Sequence, residues 1–219
     1  MHLTRFDING ARRAARDLLA SPQKLHAAVL SGFPPGAGEA EQGRVLWRLD
    51  RHQHQVTLYI VSPYPPDLTH LVESVGWPST HGWQTREYTP LLDALKKGEQ
   101  WAFRLTANPA ISKRKTPDAV RSQRFGHVTV AQQTEWLLSR AERHGFTVPL
   151  GVEDEPDVAV QRRHTLNFTR QAKTVTVNTA VFEGRLEITD PDLLRTSLIQ
   201  GIGPAKGYGC GLLTLAPVR

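Results

Sequence analysis

Five glycines, Gly201, Gly203, Gly207, Gly209 and Gly211, surround one lysine, Lys206, in the stretch GIGPAKGYGCG near the end of the chain. Glycine reaches positive φ and lets backbone amides approach a ligand closely, while the lysine adds a cation, so phosphate is the chemistry that this pattern suits. It fits neither common nucleotide loop. A nucleotide P-loop follows its Gly-Lys pair with Ser or Thr, and a dinucleotide fingerprint puts a third glycine where Lys206 stands and continues into a long helix. Only eight residues follow Gly211. The loop is therefore expected to close a domain and feed a terminal strand whose Leu212, Leu213 and Leu215 enter the core. A plain glycine-rich turn before an edge strand accounts for the composition equally well.

Histidine is the other candidate for chemistry. The chain has nine, none at metal-ligand spacing with carboxylates or thiols, and the one close pair, His52 and His54, falls at an expected hairpin tip. There is no His-Glu-x-x-His, no Gly-x-Ser-x-Gly elbow and no carboxylate pair at meaningful spacing. No metal and no cofactor is expected. The single cysteine, Cys210, excludes an internal disulfide and a cysteine-rich zinc site, in keeping with a reducing compartment. His26 lies in a helix started by Ser21-Pro22, about a hundred degrees around from Leu25 in a stripe of Leu25, Ala28 and Val29. By spacing alone it reads as a surface or packing histidine at the edge of the core.

Charge points to a polyanionic partner. The formal net charge is +6 and the sequence pI about 9.8. From Arg104 to Arg124 there are six basic residues, including Lys113, Arg114 and Lys115, against the single acid Asp118; from Gln161 to Lys173 there are four, including Arg162 and Arg163, and no acid. Clusters of one sign are what a phosphate backbone selects, because neutralising phosphates releases condensed counterions, although water alone also satisfies them. The run Glu153-Asp154-Glu155-Pro156 would repel nucleic acid and is expected to lie off the binding face.

The elements that must position these groups follow from periodicity. A strand over 2–8, helices over 11–19 and 23–30, a hairpin of 44–51 with 55–61 (Val45, Trp47 and Leu49 alternating), a weak helix over 68–75 and a strand over 82–88 give strand, helix, strand, strand, helix, strand. That is the ferredoxin-like βαββαβ plan. It repeats with a strand over 101–107, a helix over 131–144, long β-type runs over 158–168 and 175–188, a helix over 191–199 capped by Asp190, and the terminal strand. The expected class is α+β, with two tandem ferredoxin-like domains, 1–92 and 99–219, joined through a polar stretch at Lys96-Lys97-Gly98. At 219 residues with 39% hydrophobic and 22% charged composition the chain can bury one large core or two small ones. No run approaches a membrane span and the N-terminus lacks a signal-peptide core, so a cytoplasmic protein without membrane contact is expected.

Three stretches carry a resemblance: FRLTANP (103–109), VFEGRLEI (181–188) and the tail GIGPAKGYGCGLLTLAP (201–217). Together they resemble the CasE endoribonucleases, which process CRISPR precursor RNA within the Cascade complex; the first half matches more loosely, through the early strand and the helix of Leu25 and His26. The resemblance implies binding of a CRISPR repeat RNA stem-loop, association with other Cascade subunits, and metal-independent cleavage by the 2′-hydroxyl next to the scissile phosphate, leaving a 2′,3′-cyclic phosphate. It makes His26 the catalytic histidine, as acid or base. It places Lys206 and the amides around Gly203, Gly207 and Gly209 on the RNA backbone, extends that face through Arg104, Lys113, Arg114 and Lys115, and sets Arg162 and Arg163 on the stem-reading hairpin. The family often has tyrosine three residues before its histidine; here Gln23 stands there and can hydrogen-bond but not replace a phenol in proton transfer. A non-cleaving stem-loop binder of the same fold is the alternative reading. An RNA-recognition-motif protein would show an aromatic RNP1-like strand, which the sequence lacks.

Overall fold

Alternation at the N-terminus becomes a sheet with two different faces. The computed structural model describes residues 1–37, 43–78, 82–114, 122–170 and 173–218. Strand β1 (His2–Ile8) buries Phe6 and Ile8 on one side. Helices α1 (Arg13–Leu19) and α2 (Pro22–Leu30) follow, the second starting as its capping residues dictate: Ser21 Oγ accepts from the Lys24 amide at 3.3 Å and Pro22 takes the first turn. The hairpin of β2 (Leu46–His52) and β3 (Gln55–Ser62) is tighter than expected. His52 pairs with Gln55, so the turn is Gln53-His54 alone, with Gln53 left-handed at φ 51°. After α3 (Thr69–Val75), β4 (Gln84–Glu87) returns to β1, giving the antiparallel order β2-β3-β1-β4.

The second half uses the same order with two additions. Helix α4 (Thr89–Ala94) leads to β5 (Gln100–Ala107), and then a separate hairpin of β6 (Ala110–Arg114) and β7 (Ser122–Gly126) interrupts the plan before α5 (Val130–Ala141). Next come β8 (Phe146–Thr147), β9 (Val158–Arg170), β10 (Lys173–Ile188), α6 (Pro191–Gln200) and β11 (Leu213–Pro217). The sheet runs β11-β5-β10-β8, with β9 beside the rest of β10, so the second strand of the plan is shared between β8 and β9. Both halves are ferredoxin-like, and the protein is α+β with the two arranged in tandem. Hairpin β6–β7 and helix α4 have no counterpart in the sequence expectation, because neither carries a clear apolar period.

The first sheet packs on both sides, which decides where the site can form. Phe6, Ile8, Trp47, Leu58 and Ile60 face helices α1 to α3 and cluster with Leu25 and Val29. The opposite face contributes Leu46 and Val61 to a core shared with Phe103, Leu105, Leu212 and Leu213 of the second sheet. Arg48 crosses this boundary almost fully buried, at 2% exposure. Its Nη1 donates to the carbonyls of Arg104 (2.9 Å) and Leu212 (3.1 Å) and to Thr214 Oγ1 (2.9 Å), while Nε and Nη2 grip Asp50 at 2.7 and 3.0 Å. Strand β2 is thereby tied to β5 and β11.

Candidate active site

A cleft of about 940 Å³ opens where these elements meet, walled by Leu19, Pro22 and Leu25 on the helical side and by β9 on the other. Burial pulls the Asp50 carboxyl at its floor upward, but Arg48 and Arg104 hold it below its ordinary value. Arg104 also pairs with Glu183, so two carboxylates hold its guanidinium. The charge expected to meet RNA is neutralised before RNA arrives.

His26 is half-buried on α2, next to Leu25 and Trp47 of the cleft wall. Its Nδ1 accepts a hydrogen bond from Trp47 Nε1 at 3.1 Å, and the two rings lie at 26° with centroids 6.4 Å apart. Its Nε2 faces the glycine-rich loop, where a Cβ added to Gly207 would sit 3.4 Å away. The chain thus brings residues 26 and 207 together across the two halves. Gln23, near the start of α2, is exposed.

The loop is built to lie against that histidine. Gly209 has φ +80°, and a Cβ there would meet the Trp47 ring at 2.6 Å. Only glycine satisfies both the dihedral and the approach. Tyr208 meets Phe168 of β9 edge to face at 4.7 Å, tying the loop to the long hairpin. Lys206 is engaged within its own loop: its ammonium donates to the Gly203 carbonyl at 2.6 Å, and its stem folds across Gly201 and Gly211. Burial, then Arg44, pulls its pKa below the ordinary value. In this state the lysine clasps its own loop, and the amides of Tyr208 and Gly209 are spent on the carbonyls of Ala205 (2.9 Å) and Lys206 (3.3 Å).

Lys206 also helps to depress a second histidine. His144 has Nδ1 within 2.8 Å of Ser197 Oγ and its Nε2 buried with no hydrogen-bond partner among the described residues. Burial, followed by Arg143, Lys206 and Arg140, brings its pKa down to about 4. The folded value lies below the unfolded one, so folding favours the neutral ring: nothing is lost above pH 6.5, and stability falls as pH drops from there to about 4. The loss is expected to be on the order of 1–2 kcal/mol after solvent screening. Thermal melting of the wild type and of His144→Gln across this range checks it; the variant should lose less stability on acidification.

The arginines of β9 are placed differently from each other. A register shift between Val181 and Phe182 leaves Gln161 as an extra residue, and such a bulge re-aims its neighbours. Arg163 then donates to the Val128 carbonyl at 3.0 Å, whereas Arg162 is exposed, lines the cleft and has no partner among the described residues. Lys113 and Arg114 fall on β6, and Lys115 lies outside the described residues. Glu153, Asp154 and Glu155 are exposed and absent from the cleft wall. No group of three His, Cys, Asp or Glu that could hold a metal occurs among the described residues.

A family model described as CRISPR associated protein matches residues 1–217. The CRISPR-associated endoribonuclease Cse3 of Thermus thermophilus is 34% identical over 224 residues, covering 99% of this chain and 100% of that protein. The chain belongs to the CasE/Cse3 family of CRISPR-associated endoribonucleases. The Cascade subunit CasE of Escherichia coli is 35% identical over 133 residues, covering 57% of this chain and 61% of its own length. A structure of Cse3 bound to a 19-nucleotide RNA superimposes with a TM-score of 0.83 at 33% identity, covering 99% of this chain and 100% of that one. Within this CasE/Cse3 framework, sequence reasoning missed Trp47 and Arg51. Trp47 alternates with Val45 and Leu49 and so reads as core; Arg51 is exposed in the cleft wall but isolated among mixed charges.

Proposed function

We propose that this chain binds the stem-loop of CRISPR repeat RNA and cleaves the precursor transcript at one phosphate, with His26 as the proton-transfer residue. The observation that carries the reading is His26 Nε2 facing Gly207 of the glycine-rich loop. The 2′-oxygen attacks the adjacent phosphorus and its proton leaves to solvent, the bond to the 5′-oxygen breaks, and that oxygen takes a proton delivered through His26. The products are a 2′,3′-cyclic phosphate and a 5′-hydroxyl. The nucleophile belongs to the RNA, so the protein's part is orientation, proton transfer and charge stabilisation. The amides around Gly203 and Gly207, together with Lys206 when phosphate draws it from the Gly203 carbonyl, hold the backbone beside the scissile phosphate. Arg162 reaches the stem, and the sequence of β6 adds the charges of Lys113 and Arg114; a regular A-form major groove is too narrow to enter except where it is distorted or ends. The unit 1–92 presents the histidine and the unit 99–219 presents the loop. The relatives' roles support a place beside other Cascade subunits, and the reaction is assigned to the cytoplasm, where the precursor is transcribed.

The test is cleavage of the cognate repeat RNA in excess EDTA. A single cut with a cyclic-phosphate end is expected at the rate seen without chelator. Uncut but tightly bound RNA would favour the non-cleaving binder, and activity lost to EDTA and restored by a divalent cation would overturn the metal-free route.

A further inference from the structure

One buried side chain touches both halves of the proposed centre. Trp47 is 2% exposed, and its only polar atom, Nε1, is committed to His26 Nδ1 at 3.1 Å. The indole ring is also the surface on which the glycine loop rests, since a Cβ at Gly209 would lie 2.6 Å from it. Two residues earlier in that loop, Gly207 meets the far nitrogen of the same histidine. Trp47 therefore forms one side of a closed arrangement: indole to imidazole, imidazole to Gly207, and Gly209 back to the indole.

We propose that Trp47 is a positioning residue that fixes the ring plane of His26 and keeps its proton on Nε2. The idea rests on the assignment of His26 to proton transfer. An indole N–H can only donate, so the imidazole nitrogen facing it must accept. In the neutral ring the proton then resides on the other nitrogen, the one that faces the loop, because the partner of one ring nitrogen sets the state of the other. His26 meets the RNA as a donor at Nε2. The alternative tautomer, with a lone pair at Nε2 suited to deprotonating the 2′-hydroxyl, would set two N–H groups against each other at Nδ1. Of the two roles that residue type leaves open, the donor toward the departing 5′-oxygen is the one this contact selects. The near-parallel rings keep Nδ1 in line with the indole N–H, so rotating the imidazole out of plane costs that hydrogen bond, while Gly207 lies against its far nitrogen.

The test is Trp47→Phe, which keeps an aromatic ring in the pocket and removes the N–H. Single-turnover cleavage of repeat RNA should slow about 10- to 100-fold, the range in which small misplacements of a reacting group are felt, while RNA affinity at fixed salt is unchanged. In a His26→Ala background the same substitution should change the residual rate by less than about twofold, because a group that acts through His26 has nothing left to act on. A purely structural role would slow both backgrounds alike and would overturn the proposal. Nitrogen-15 spectra of the RNA-free protein, labelled at histidine, give a readout independent of catalysis. The His26 signals should show a protonated Nε2 and an unprotonated Nδ1 in the wild type and a shift toward mixed tautomers in Trp47→Phe. A wild-type ring protonated at Nδ1 alone would overturn the proposal even if His26 is catalytic, and a His26→Ala enzyme that cuts normally would remove the reading beneath it. Benzothienylalanine at position 47, which replaces N–H by sulfur in a ring of the same size, repeats the test if the phenylalanine variant melts early.

Discussion

His26→Ala is expected to reduce the cleavage rate by about 10²- to 10⁴-fold, the usual contribution of a positioned acid or base, and to leave RNA binding nearly intact. That range corresponds to about 3–5 kcal/mol of transition-state stabilisation. The binding surfaces explain the separation. Arg162 and the loop amides lie outside the substituted side chain, and α2 is held by Leu25 and Val29, which alanine at position 26 does not touch. Alanine is also a better helix former than histidine. The substitution leaves Trp47 Nε1 without its acceptor, at a cost of about 1–3 kcal/mol if no water replaces it, so melting should fall slightly without loss of the fold. Single-turnover kinetics and filter binding at one fixed salt concentration separate the two effects, since salt alone shifts affinity strongly. An unchanged rate would remove His26 from the mechanism; equal losses of rate and affinity would make it a binding residue.

The sequence was most legible where local periodicity and global packing agree. Ser21-Pro22 starts α2 and Asp190 caps α6 through the amides of Asp192 and Leu193, as their types dictate. The loop between α6 and β11 places Leu212 and Leu213 in the core. Where the fold was opaque, the reason is long range. Arg104 and Lys206 are cations in basic or glycine-rich surroundings, which is what an RNA ligand looks like in one dimension. Their carboxylate and carbonyl partners in the folded chain are invisible there, since Asp50 and Glu183 lie more than fifty residues from Arg104 in opposite directions. Strand β2 shows the same limit. Val45, Trp47 and Leu49 mark one buried face and leave Arg48 and Asp50 to be read as solvent-facing, yet a second sheet covers that side and the charges are buried in pairs. The hairpin β6–β7 escaped because its residues are basic and polar, with Ile111 and Phe125 as a lone cross-strand apolar pair.

That covered face yields the second large effect. Arg48→Ala is expected to destabilise the protein by about 3–5 kcal/mol, the cost of breaking a buried pair from one side. Removing the guanidinium strips the carbonyls of Arg104 and Leu212 of a donor and leaves Asp50, at 14% side-chain exposure, with Arg104 as its remaining cation. For a chain of this size each kilocalorie moves the melting temperature by about 2–4 °C, so a fall of roughly 6–20 °C is expected in calorimetry. Arg48→Met with Asp50→Leu tests whether the loss comes from the orphaned charge, since exchanging both members of a buried pair for apolar groups of similar volume is often close to neutral; the double variant should recover part of the melting temperature. Activity should not recover with it. Arg48 joins the strand that carries Trp47 to Leu212 and Thr214, which follow the glycine loop directly, so it sets the offset between His26 and Gly207. An apolar pair can restore cohesion between the sheets without restoring that registration. A double variant that melts near the wild type yet cuts repeat RNA at least about tenfold more slowly would separate the two roles; full activity in it would show that the sheets find their register without Arg48.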